Sequence, residues 1–161
     1  MQGGSLRIYA SRPGTFLISG SGKNIINREL ADRYDKEEIH HKLGDNIAKL
    51  KEEIIALLKD LKNKGKSVAA YGAPAKGVVL LNYFGIKNYL DFVVDKSPAK
   101  QGLYMPGTRM PIYPTEKIYE AKPDYLLVLC WNIADEVIGE FKHCAKFGGK
   151  FIIPIPTVRI V

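Results

Sequence analysis

The sequence predicts an α/β protein: a Rossmann-like three-layer sandwich with a mostly parallel sheet, preceded by a long helix. Three observations predict it. From residue 66 onward, short apolar runs alternate with helix-like stretches, and apolar strands interleaved with helices imply a parallel sheet covered on both faces. The first of these strands leads into a turn of small residues, YGAPAKG, that opens a helix. Upstream, Ile39, Leu43, Ile47, Leu50, Ile54, Leu57, Leu58 and Leu61 recur at threes and fours, which is helical spacing.

Residues 1–34 read as an N-terminal strand and linker. SLRIYA alternates like a short strand, and a strand that short needs a partner sheet. Arg12-Pro13-Gly14 and the Gly/Ser-rich SGSGKN at 19–24 follow and read as turn or linker. SGSGK has half of a phosphate loop, but it continues NII and misses the GxxxxGK[ST] spacing. Residues 35–65 form the connecting helix, with Asp35 as the expected cap, Glu37 and Glu38 in the first turn, and Lys62, Lys64 and Gly65 at the end. At 1.5 Å per residue it runs roughly 45 Å, long enough to bridge two modules or pack on a partner.

Residues 66–161 form the Rossmann-like domain. SVAAYG (67–72) is an apolar strand, GVVLLNYFG (77–85) a short helix, and YLDFVVD (89–95) a strand ending in an acid. MPIYP (110–114) is a short strand or extended turn, and PTEKIYEA (114–121) a short helix capped by Thr115. DYLLVLCW (124–131) is a buried strand, IADEVIGEFKHCAKFG (133–148) an amphipathic helix ended by Gly148-Gly149, and KFIIPIP (150–156) a final strand ended by prolines.

Length and composition exclude other classes. At 161 residues the chain fits one domain, or one domain plus a leader. No apolar run approaches the ~20 residues of a membrane helix. The N-terminus carries no basic-then-apolar signal, and two cysteines fit a reducing compartment, so a cytoplasmic location is expected. The net charge of +7 favours anionic partners. Its lysines and arginines are spread without a dense tract, so nucleic acid is not the expected partner.

The residues that invite chemistry lie at the carboxyl ends of the expected strands, where open α/β sheets bind ligands. Gly72, Ala73, Pro74, Ala75, Lys76 and Gly77 form the first turn. Small residues let backbone N–H groups approach an anion at a helix N-terminus, and Lys76 adds charge. The same residues also suit a tight turn chosen for packing, and the GxxxxG spacing is not the dinucleotide GxGxxG. Asp95 follows Gly72 by 23 positions, a distance at which an acid accepts from ribose hydroxyls; it equally caps a turn before Ser97-Pro98. Lys100 can reach a second phosphate or sit solvated. Trp131 can stack on a base or line a sugar pocket, and Asn132 can bind a ligand or cap the next helix. His40, His41 and His143 read as helix surface, Cys130 as a small core residue, and Cys144 as a residue on the next helix; no nucleophile–base pair and no metal ligands are assigned.

In order, YGAPAKG, LLNYFGI, VVDKSPAKQGLYMPGTRMPIYP, PDYLLVLCWNIADEVI and GGKFIIPIP run across residues 71–156. This series resembles the C-terminal domain of the S-adenosylmethionine-dependent sugar C-methyltransferases. GGSLRIY at 3–9 is also similar to the segment that closes the family's middle, methyltransferase domain, with Gln2 where the family usually has a His. The resemblance implies a substrate-binding portion of an enzyme that methylates a carbon of a nucleotide-linked deoxysugar. It also implies that S-adenosylmethionine binds in a middle domain with no counterpart here, so no cofactor, catalytic residue or activity is expected of the chain alone. The implied partners are a nucleotide-sugar and a separate methyltransferase subunit or a second copy. By resemblance the turn at 72–77 contacts the substrate's phosphates or sugar, with Asp95, Lys100, Trp131 and Asn132 on the same sheet edge. Two readings stand beside this one: a free-standing module for NAD, CoA or a nucleoside diphosphate, and a dimeric scaffold.

Overall fold

The computed structural model describes residues 6–17, 19–142 and 149–161. Two compact units divide the chain, Met1–Lys49 and Leu50–Val161.

In the first unit, helix α1 spans Gly20–Ala31, and the Ser19 hydroxyl caps it by accepting the Gly22 N–H at 3.1 Å. This corrects the turn or linker expected at 19–24. SGSGKN supplies a serine cap, and the helix formers of the following INRELA extend it. No strand forms over 6–10, where Leu6, Ile8 and Tyr9 are exposed; alternation alone does not make a strand without a neighbour. The start of that expected strand, like Gln2, lies outside the described residues. Helix α2 spans Glu37–Asn63, in agreement with the expected long helix. Asp35, the expected cap, pairs instead with the Lys36 ammonium at 2.7 Å. His40 and His41 are exposed, the latter 3.1 Å from Glu37.

The second unit carries the sheet. Its strands are β1 (Val68–Tyr71), β2 (Val93–Val94), β3 (Ile112–Tyr113), β4 (Tyr125–Val128), β5 (Lys150–Ile153) and β6 (Arg159–Ile160), and its helices after α2 are α3 (Ala75–Phe84), α4 (Lys117–Ala121) and α5 (Ala134–Lys142). The spatial order is β3-β2-β1-β4-β5-β6. The pairs among β1 to β5 are parallel, and β6 is antiparallel to β5. The order reverses between β1 and β4, which makes their carboxyl ends the switch point of a Rossmann-like fold.

Three local expectations are corrected. The strand expected over 89–95 shortens to β2, because Lys87–Tyr89 make a 3-10 turn and the Asp91 carboxylate accepts the Val68 N–H at 3.0 Å. Thr115 does not cap α4; Glu116 holds that position without a side-chain bond. Beyond the prolines the chain returns as β6, pairing Ile160 with Ile152 and Arg159 with Ile153. The expected helix end at Gly148, with His143 and Cys144, lies outside the described residues.

The core lies on both sides of the sheet. Ala69, Tyr71, Val94, Leu126, Val128, Phe151 and Ile153 cluster with Ile118 of α4 and with Val137, Ile138 and Phe141 of α5. Strand side chains alternate between faces, so Ala70, Val93, Leu127 and Ile152, all fully buried, point the other way. Gly77 of α3 packs against Leu129 there: a Cβ on Gly77 would sit 2.9 Å from the Leu129 Cβ. Ile54, Leu58 and Leu61 of α2 are buried as well.

Candidate functional site

The turn between β1 and α3 is shaped by its glycines. Gly72 has φ +89°, and a Cβ there would also lie 3.2 Å from the Cys130 Sγ. Its N–H donates to the Val94 carbonyl at 2.7 Å, continuing the sheet bonding past the end of β1. Pro74 starts α3 without a side-chain cap, and the first turn of α3 holds no acidic residue. The Val78 N–H donates to the Pro74 carbonyl, so the N–H groups of Ala75, Lys76 and Gly77 precede any intrahelical acceptor. Three backbone donors and the positive end of the helix dipole thus meet at this edge.

Lys76 lies in this first turn, where the dipole disfavours a cation. Its ammonium donates to the Asn132 Oδ1 and lies 4.5 Å from the centre of the Trp131 ring. Among the described residues it has no carboxylate partner. This arrangement brings together two parts of the sequence that are 56 positions apart. Sequence order leaves Asn132 to bind a ligand or to cap the next helix; its oxygen accepts from Lys76. Trp131 packs against the core cluster with Lys76 over its ring, so the indole supports the lysine.

Asp95 follows β2 at the same edge with 8% exposure. Its Oδ2 accepts the Ala73 N–H at 2.6 Å and the Lys100 ammonium at 3.1 Å, and its Oδ1 accepts the Ser97 N–H at 2.8 Å. Burial pushes its pKa up, but the Ser97 and Ala73 amides and the Lys100 ammonium outweigh that and hold it below the ordinary value. Gln101 donates to the Asp95 carbonyl at 2.9 Å. Next along the chain, Lys96 pairs with Glu140 of α5 at 2.5 Å. Cys130 packs against the core cluster, as expected of it. Burial pushes its thiol pKa up, so the thiolate is disfavoured there.

The structure therefore gathers the expected site residues at one end of the parallel strands. The turn at 72–77 is linked to Asp95 and Lys100 on one side and to Trp131 and Asn132 on the other. A family of C-methyltransferase C-terminal domains matches residues 1–156 of this chain. The chain belongs to that family. It is similar to the C-methyltransferase NovU of Streptomyces niveus, 32% identical over 163 residues. The match takes in 100% of this chain and 39% of that protein, so the chain spans about two fifths of the length of this relative.

Sequence reasoning missed a second polar cluster at the opposite, amino ends of the strands. A cavity of about 470 Å³ there is lined by Lys66, Lys122, Pro123, Asp124, Tyr125, Gly149 and Lys150. The Asp124 carboxylate accepts from the Lys66 ammonium at 2.9 Å, the Ser67 N–H at 2.9 Å and the Ser67 hydroxyl at 3.0 Å, which bring its pKa down to about 2. The only signal was an acid just before a strand, which is too common to single out. Among the described residues no group of three or more His, Cys, Asp or Glu side chains could hold a metal ion, and no helix is long and apolar enough to cross a membrane.

Proposed function

We propose that this chain is the substrate-binding portion of a C-methyltransferase that acts on a nucleotide-linked deoxysugar. The single observation that carries this reading is the charge balance at the start of α3. An uncapped helix N-terminus without acidic residues holds a lysine whose side-chain contacts are an amide oxygen and an indole face. That combination suits a diphosphate, which backbone N–H groups and an ammonium satisfy together. The edge where β1 and β4 diverge is also where open α/β sheets hold nucleotides.

In this reading the chain positions the sugar-nucleotide and leaves carbon–carbon bond formation to a methyltransferase module. Deprotonation beside a sugar keto group and attack on the sulfonium methyl of S-adenosylmethionine belong to that module. The exposed apolar side chains of the first unit, including Leu6, Ile8, Tyr9, Phe16, Leu17 and Leu30, supply a surface for it.

The test is a calorimetric titration with dTDP, UDP, GDP, NAD, CoA and S-adenosylmethionine. A nucleoside diphosphate should bind, and Lys76→Ala should weaken it roughly tenfold, the loss of about one charge-assisted contact. S-adenosylmethionine should not bind. Binding of NAD or CoA alone would replace this reading with a free-standing cofactor module. Unchanged affinity in the Lys76→Ala variant would remove the diphosphate from the α3 N-terminus.

A further inference from the structure

At the end of the second strand of a dinucleotide-binding sheet, an acid reads ribose by accepting from its hydroxyls. That role requires carboxylate oxygens open to the ligand. In this chain the acid is Asp95, and both of its oxygens accept from protein donors. The donors come from two separate loops: Ala73 in the turn after β1, and Ser97 and Lys100 in the loop after β2. Ala73 and Lys100 share one oxygen, which sets the Lys100 ammonium against the turn. Gln101 fastens the same loop to the Asp95 carbonyl. Asp95 keeps only 8% of its exposure.

We infer that Asp95 is a positioning residue that pins the glycine turn to the loop at 97–101 and holds Lys100 against that turn, rather than a ligand for ribose. In its ligand-binding consequence this inference rests on the diphosphate reading above. The site recognises the diphosphate and is indifferent to the ribose 2′-hydroxyl, so ribo- and 2′-deoxyribonucleoside diphosphates bind alike.

Two measurements on the full chain test this, in wild type and in Asp95→Asn. The first is amide hydrogen exchange at Ala73. It should be slow in wild type and at least ~10-fold faster in Asp95→Asn, where the amide loses a charged acceptor. Fast exchange in wild type, or no change in the variant, overturns the pinning role. The second is calorimetric titration with UDP and dUDP. Wild type should bind the two within about twofold, and the variant should weaken both roughly tenfold with their ratio unchanged. A wild-type preference for UDP of tenfold or more that vanishes in Asp95→Asn overturns the inference and makes Asp95 a ribose ligand. A mere loss of local order would not create such a preference. Binding of neither nucleotide overturns the diphosphate reading and its ribose corollary, while Ala73 exchange still upholds or overturns the pinning role. If the variant does not fold, wild-type Ala73 exchange and the wild-type UDP-to-dUDP ratio decide the matter.

Discussion

The two compact units treat apolar residues in opposite ways. In residues 50–161 the strands and their covering helices bury them: Leu58, Leu81, Leu127 and Ile152 have no exposure. In the described part of residues 6–49, no residue is buried, and Phe16, Leu17, Ile26, Leu30, Tyr34 and Leu43 face solvent. The alternating residues at 6–10 stay exposed, so pattern alone does not create a core. A parallel sheet supplies two faces for helices to cover. Among its described residues the first unit holds a 12-residue helix capped by Ser19 and half of a longer helix, and a helix that short gains little stability without packing.

The comparison breaks most easily with paired substitutions. Leu127→Ala removes a fully buried side chain from the sheet and should cost about 2–5 kcal/mol in chemical denaturation. Leu30→Ala, on exposed α1, should change stability by less than about 0.5 kcal/mol. Comparable losses from both would mean that the first unit holds a core of its own.

Glycines sharpen the contrast with a change of sign. Gly77→Ala drives a methyl group to 2.9 Å from the Leu129 Cβ and should destabilise by about 1–3 kcal/mol. Gly44, inside α2, has open space where a Cβ would go. Gly44→Ala should raise the melting temperature, by the ~0.5–1 kcal/mol that glycine costs a helix interior. A destabilised Gly44→Ala would reveal a close neighbour at that position.

The smallest effect concerns acid. Asp124 joins the start of β4 to Ser67 and Lys66 before β1, and its folded pKa is lowered to about 2. A lowered carboxylate pKa means that the folded state favours the charged form, so its contribution is complete above the unfolded value of about 3.9. It is lost as pH falls from there through about 2. Asp124→Asn should therefore be less stable than wild type at pH 6, and the gap should narrow toward pH 2. The side chain is 37% exposed, so solvent screening keeps the difference small. A gap independent of pH would mean that the folded state does not lower the Asp124 pKa.

Much of the fold was legible. The apolar runs at 68–71, 125–128 and 150–153 are strands, and the threes-and-fours spacing after residue 35 is a helix. β6 was not legible, because Arg159 and Ile160 make a strand only by pairing with β5. SGSGKN misled for a related reason: the serine that suggests a loop also caps a helix, and its bond to Gly22 shows which of the two it does. At the candidate site, the small-residue turn and its place after β1 were readable from order alone. The partners were not. Lys76 meets Asn132 across 56 residues, and Ala73 meets Asp95 across 22.

The sequence by itself determined the parallel sheet, the long helix, the family and the sheet edge where the candidate site residues gather. Those properties follow from local periodicity, small residues and motif order, which a chain carries before it folds. Only the tertiary structure decided what individual polar groups do. A carboxylate's role depends on which donors reach it first, and Asp95 is reached by Ala73, Ser97 and Lys100. Among the described residues Lys76 lacks such a carboxylate partner, and the fold sets Trp131 and Asn132 beside it. Those distances are set by how strands pair and turns close, and composition does not encode them one residue at a time.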